Sequence, residues 1–298
     1  MKARLAALLL FPPACATAAD RFDIAITVDD LPAHGKLPPG MTRLGIAQSY
    51  LRTLQEHGVP EAYGFVNASK LAQDPDGAAV LDAWRSAGYP LGNHASTHMN
   101  LGRAPSLEAW EADVVASEAA VAERMQGSDW HYLRFPNLAV GDGERRDGAF
   151  AWLKARGYRV ADVSVAFGDW TYTDAYARCV ARGDTAAIDA MKAHYLKGVD
   201  EGIVQMKATS RQVYDRVIPQ VLLTHIGAFA AHMLPEVMKR LDAAGAHYVT
   251  LAQAEADAAY QEAGGGSLLA RAAKSRGIRI VTAASEAAAA LDIKKLCQ

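Results

Sequence analysis

Two histidines four positions apart, His94 and His98, stand in the stretch GNHASTHMN at residues 92–100. Imidazole is the commonest metal ligand, and a pair at this spacing shares a face if helical or converges from a tight loop. Further upstream, Asp29 and Asp30 follow the apolar run FDIAITV. Two carboxylates at the end of such a run are costly to leave unpaired near a core, so they call for a cation, a metal or hydrogen bonds. Each pair also has an ordinary reading: a turn or cap ahead of Leu31-Pro32 for the aspartates, and surface or capping polarity around Ser96 and Thr97 for the histidines. Three more polar features follow apolar runs: Arg134 and Pro136 in HYLRFPN, Asp169 and Trp170 in VAFGDW, and His225 in VLLTHIG. Singly these read as an ion pair, a core tryptophan and a satisfied buried histidine.

Their common position is what joins them. Runs rich in Ile, Val and Tyr recur at FDIAITV, AYGFVN, YPLGN, HYLRF, YRVADVSV, VLLTH and HYVTL, with helix-like segments between most of them. That alternation predicts a parallel α/β architecture, in which ligand-binding residues gather at the carboxyl ends of strands. A helix is expected over 42–57, with Thr42 as cap, Ile46, Tyr50 and Leu54 on one face and Gly58 at the stop. Another is expected over 106–126, burying Leu107, Trp110, Val114, Val121 and Met125, which makes Trp110 and Met125 core. From 172 to 217 the rhythm breaks into a helix-favouring stretch without a strand, read as an insertion of two or three helices forming a lid or wall. The GGGS run after Ala263 reads as a flexible joint, and 264–298 as an appended extension to a domain spanning 20–263.

Hydrophobic residues make up 51% of the 298 and charged residues 21%, enough apolar material for one sizeable core. Thirty-one Lys+Arg against thirty-three Asp+Glu leave a net charge of −2, which argues against a nucleic-acid or anionic-membrane partner. Residues 1–19 carry Lys2 and Arg4, an apolar run from Leu5 to Phe11 and small residues beyond. This reads as a secretory signal peptide, too short to span a bilayer, and predicts a periplasmic or secreted protein. Once it is removed, Cys179 and Cys297 remain, as one disulfide tying the tail to the body or as two free thiols. No other stretch is long and apolar enough to cross a membrane.

The ordered set TVDD, HASTH, RFP, DW and LLTH, covering about residues 23–251, resembles the polysaccharide deacetylase family with the NodB homology domain, carbohydrate esterase family 4. The resemblance implies a distorted (β/α) barrel of about seven parallel strands, here with the helical insertion before the last catalytic strand. It implies that Asp30, His94 and His98 hold one divalent metal, usually zinc, with water completing the shell. Cobalt, nickel or manganese also suit such ligands. By the same resemblance Asp29 is the general base, Arg134 steadies it, and His225 is the general acid. The implied reaction is removal of acetyl groups from an N- or O-acetylated carbohydrate.

The chain departs from the family pattern in three places. Leu31-Pro32-Ala33-His34-Gly35 replaces the usual glycine after the aspartates, which brings His34 near the metal as a substrate contact or a plain loop residue. Asn137 follows Pro136, and Ala166 stands where an aspartate usually precedes the DW pair. The partner that orients His225 is therefore Asp169 first and Asp162 second, while Pro136 and Trp170 are expected at the substrate rim. Two other readings remain: a hydrolase of small non-sugar amides on the same fold, and a non-catalytic carbohydrate-binding relative.

Overall fold

Strand β1 (Phe22–Leu31) is the axis of the molecule, and all but one of its ten residues are buried. Parallel strands covered by helices on both faces read as near-continuous apolar runs, which is how FDIAITV reads. In chain order it is followed by α1 (Arg43–Glu56), β2 (Ala62–Val66), α2 (Gly77–Ser86), β3 (Leu91–Asn93), α3 (Leu107–Ala122), β4 (Tyr132–Leu133), α4 (Gly143–Ala155), β5 (Arg159–Val160), β6 (Val165–Ala166), α5 (Thr173–Arg182), α6 (Thr185–Tyr214), β7 (Gln220–His225), α7 (Ala228–Ala243), β8 (Ala246–Tyr248), α8 (Leu251–Glu255) and α9 (Leu268–Ser275). The computed structural model describes residues 21–261, 264–281 and 291–298. The leader-like segment 1–19 lies outside the described residues, as do 262–263 and 282–290.

The strands order as β5-β4-β3-β2-β1-β7-β6, every pair parallel, with β8 on the first residues of β1. β5 and β6 form opposite edges of this sheet, yet only residues 161–164 lie between them in the chain. Five peptide steps reach at most roughly 17 Å, so the sheet must curl until its edges nearly meet, as an incomplete barrel. The run YRVADVSV, expected as one strand, is thus two. The remaining gap is bridged from the C-terminal segment, where Val163 N donates to Gly266 O at 3.2 Å and Leu268 N to Val163 O at 2.7 Å.

That bridge corrects the reading of the glycine run as a flexible joint. Gly264, Gly265 and Gly266 are buried, and a Cβ on Gly264 would meet the Asp162 carboxylate at 2.5 Å. These residues are glycine because the backbone passes too close to its neighbours for a side chain. Beyond them α9 buries Leu268, Leu269, Ala272 and Ala273, so residues 264–281 are packed into the body.

The insertion consists of two helices, α5 and the thirty-residue α6. Met191, Tyr195, Val199, Ile203 and Met206 recur at helical spacing on the buried face of α6, which packs against α5, α7 and α9. The pair is a wall flanking the β6–β7 side. Cys179 in α5 is joined to Cys297 by a disulfide, and Arg178 donates to Leu296 O at 3.1 Å, so the chain's end is tied to that wall. Thr42 caps α1 as expected and Ser106 caps α3, although α3 ends at Ala122 and Met125 reaches the core from the following turn.

Candidate active site

Five strands end at one mouth. β1 carries Asp29 and Asp30 in its last turn of pleat, β3 leads into the loop bearing His94 and His98, β4 into Arg134, β6 into Asp169, and β7 ends on His225. Asp29 is registered directly opposite His225 across the β1–β7 ladder. The expected residues are thereby brought together, by parallel pairing alone, from across some two hundred positions of chain.

The three candidate ligands offer atoms that lie within 4.8 Å of one another. His94 Nε2 and His98 Nε2 stand 3.7 and 3.5 Å from Asp30 Oδ1. That oxygen is buried and accepts no hydrogen bond, so its lone pairs are open to a metal, with the Lys70 ammonium 3.4 Å away as the charge beside it. His94 Nδ1 donates to Arg134 O at 2.7 Å, which fixes the tautomer and leaves the Nε2 lone pair for a metal. Burial holds both imidazoles below their ordinary pKa, His98 at about 4, so both are neutral as ligation requires. Burial alone would raise the Asp30 carboxyl, but the hydrogen bond from His34 and the charge of Lys70 hold it well below the usual carboxylate range. The residues present fit a divalent cation bound by one carboxylate and two imidazoles.

The backbone that presents these atoms is unusual. Asp30, Ala95 and His98 have φ of +70°, +57° and +60°, left-handed conformations that non-glycine residues hold only when their surroundings enforce it. The enforcement is visible in the histidine loop. Asn67 Nδ2 donates to the carbonyls of His94 and Ala95 at 2.7 and 2.9 Å, and Asn93 Oδ1 accepts from Ala95 N at 2.8 Å. Asp113, from α3, accepts from Thr97 N at 3.1 Å and Met99 N at 3.3 Å, clasping the loop around His98. The histidine pair therefore converges from a tight loop and not from a helix.

Around the candidate ligands sit three further charged groups, Arg134, Asp169 and His225, and the second aspartate, Asp29. Arg134 is fully buried and donates to Asp29 Oδ1 at 3.3 Å, Thr27 Oγ1 at 3.0 Å and Ala161 O at 3.0 Å. With Oδ1 occupied by that guanidinium, Asp29 Oδ2 is the oxygen left toward the ligands, 3.6 Å from His94 Nε2. Asp169 grips His225 twice, accepting from its backbone N at 2.8 Å and from Nδ1 at 3.0 Å. Burial disfavours the His225 cation, but Asp169 outweighs it, assisted by Asp29 and Asp30, and raises the imidazole to about 9. Asp162 has another partner: it pairs with Arg271 at 3.0 Å.

Of the rim residues, His34 is turned inward, with Nδ1 2.6 Å from Asp30 Oδ2 and its ring centroid 5.0 Å from that of His225. Pro136 is buried at the start of a short turn, where Asn137 has φ +56° and accepts from Asn100 Nδ2 at 3.1 Å. Trp170 is 56% exposed, so it is not a core residue. Two residues of the site were not singled out in the sequence. Lys70 Nζ stands 3.4 Å from Asp30 Oδ1, and it follows β2, the one central strand whose carboxyl end had no nominee. Asp113 occupies a position on the apolar stripe of α3, an acid where a hydrophobe belongs, which is a legible signal.

Compared with known proteins, residues 17–159 match the family described as "Polysaccharide deacetylase". Through those residues, a little under half of its length, the chain is similar to that family. The match takes in Asp29, Asp30, His94, His98 and Arg134, and ends before Asp169 and His225. Among solved structures, a family 4 carbohydrate esterase from Streptomyces lividans in complex with acetate is similar at 18% identity and a TM-score of 0.50, covering 78% of this chain and 95% of that one. A polysaccharide deacetylase from Bacillus cereus is similar at 20% identity and a TM-score of 0.53, covering 77% and 92%. A mutant of a CE4 family pseudoenzyme, with restored enzymatic activity, aligns at 14% identity and a TM-score of 0.54, covering 79% and 68%. These likenesses establish the NodB-like barrel for this chain. No curated protein matches it.

Proposed function

We propose that the protein is a secreted, metal-dependent deacetylase that removes acetyl groups from an acetylated carbohydrate. The observation that carries this reading is Asp30 Oδ1, free of hydrogen bonds and facing two neutral imidazoles, with Asp29 and a protonated His225 flanking it. Asp30, His94 and His98 would hold a divalent ion, most simply zinc, which would supply Lewis acidity toward water and the acetyl carbonyl. The chain's own groups account for the proton transfers. Arg134 fixes the Asp29 carboxylate in one orientation, so that Oδ2 can accept the proton of an attacking water. His225, held as the cation through Nδ1 by Asp169, has Nε2 left to hand a proton to the departing amine or alcohol. The acid thus starts in the protonation state that the reaction needs, because it faces an aspartate.

Export is supported by the leader-like residues 1–19 and by the Cys179–Cys297 disulfide, a bond that persists in oxidising compartments. Pro136 and Trp170 are the rim positions for substrate, Trp170 as an exposed aromatic face suited to a sugar ring. The test is acetate release by the mature protein supplied with Zn²⁺ or Co²⁺, from N-acetylglucosamine oligomers and acetylated xylan in parallel. Release from either that disappears in Asp29→Asn supports the reading and reports which bond is cleaved. Metal binding without release from either polymer sinks the carbohydrate assignment and points to small amides or to binding alone.

A further inference from the structure

The Asp30 carboxylate is contested from two sides. Oδ2 is engaged by His34 Nδ1 at 2.6 Å, while Oδ1, the atom that faces both ligand histidines, has the Lys70 ammonium 3.4 Å away. Lys70 is not a passing surface charge. It projects from the turn Ala68–Leu71, donates to Ala33 O at 3.0 Å, and leaves only 26% of its side chain exposed. Arg43 adds a second positive charge nearby, fixed by donation to the carbonyls of His34 and Gly35 and by its pairing with Asp74. A divalent cation on Oδ1 would have to share that oxygen with an anchored ammonium, and like charges gathered on one atom repel strongly where water is scarce. His34 does the reverse: by holding Oδ2 it orients the carboxylate with Oδ1 toward the imidazoles, as hydrogen-bonded outer partners of metal ligands do.

We propose that Lys70 is a built-in counter-cation of the metal site, holding Asp30 in place when no metal is bound and weakening metal affinity when one is, against His34, which strengthens it. This rests on the metal-centre reading of Asp30, His94 and His98. Neither residue is needed for the proton transfers assigned to Asp29 and His225. The two set how readily the ion exchanges with its surroundings.

The experiment is zinc affinity of the purified full chain, measured by competition with a chromophoric chelator, together with the melting temperature of the metal-free protein. Lys70→Met is expected to bind zinc roughly tenfold or more tightly than wild type, and its metal-free form to melt lower, because Asp30 has lost its counter-charge. His34→Gln is expected to bind roughly ten- to a hundredfold more weakly. Lys70→Gln serves as the second variant should methionine disturb the turn. Folded Lys70 variants with wild-type or weaker zinc affinity overturn the proposal, provided Asp30→Ala still abolishes binding. Equal zinc binding by wild type and Asp30→Ala instead removes the metal centre itself, and the proposal with it.

Discussion

Replacing Asp169 by asparagine isolates the charge that keeps His225 protonated. In the wild-type fold the His225 imidazole is raised from 6.5 to about 9, against the burial that favours its neutral form. At 1.36 kcal/mol per tenfold change in acidity, that difference is worth roughly 3 kcal/mol of folding stability. Its sign follows from linkage. A histidine whose folded pKa lies above its unfolded value contributes fully below about 6.5 and loses that contribution as the pH rises through about 9. Asparagine keeps the size of the side chain and removes the charge, so the buried imidazole becomes neutral and the contribution vanishes. Denaturant unfolding of the metal-free proteins should therefore show Asp169→Asn more destabilised at about pH 6 than at about pH 10, the gap between the two approaching ~3 kcal/mol. The lost hydrogen bond to His225 N adds a further cost at every pH, and subtracting the two measurements removes it. The imidazole resonance of His225 should titrate near 9 in wild type and at lower pH in the variant, and the alkaline limb of deacetylation should move with it. A His225 resonance that titrates at the same pH in both proteins would falsify the assignment of Asp169 as the group that holds the acid.

Arg134→Met leaves the Asp29 carboxylate buried without its guanidinium and deprives Thr27 Oγ1 and Ala161 O of a donor. A loss of about 3–5 kcal/mol in urea unfolding is expected, with turnover lost at temperatures where the variant is still folded; a cost under about 1 kcal/mol would mean that the pair is not structural. Cys297→Ser opens a link between residues 118 apart in sequence and should cost about 2–4 kcal/mol while leaving acetate release from the folded enzyme unchanged. Unaltered melting of that variant under oxidising conditions would show that the thiols are not paired.

Much of the site was readable because parallel strands impose an address. Asp29-Asp30, His94, Arg134, Asp169 and His225 each follow an apolar run, and in a parallel sheet every such position lies at the same rim. No geometry was needed to group them, only the alternation of strands with helices. The address failed where the strand signal failed. YRVADVSV has strand composition throughout, yet its two halves pair with β4 and with β7 at opposite edges. Closure of a barrel is a long-range property, and a local run of β-formers carries no trace of it. The glycine run misled for a related reason. A glycine demanded by close approach and a glycine that confers freedom are the same letter, and only the Asp162 carboxylate beside Gly264 tells them apart.

Lys70 and Asp113 mark a different boundary. Neither belongs to the motifs that carry the resemblance, but each serves residues that do, Lys70 at Asp30 and Asp113 at the loop of His98. A motif names the atoms that meet the ion; the charges and hydrogen bonds that set its affinity come from wherever the fold brings a side chain near. In this chain those supporting groups lie on the β2–α2 connection and within α3, elements with no chemistry of their own. His34 stands between the two kinds. Its place in the altered loop after the aspartates drew notice as a substrate contact or a plain loop residue, and the 2.6 Å contact to Asp30 adds a tie that the letters did not show. The loop that departs from the glycine of the resembling pattern thus changes how the Asp30 carboxylate is held. If Asp30, His94 and His98 hold an ion as proposed, chains sharing these five motifs can differ in metal affinity without differing in a single ligand.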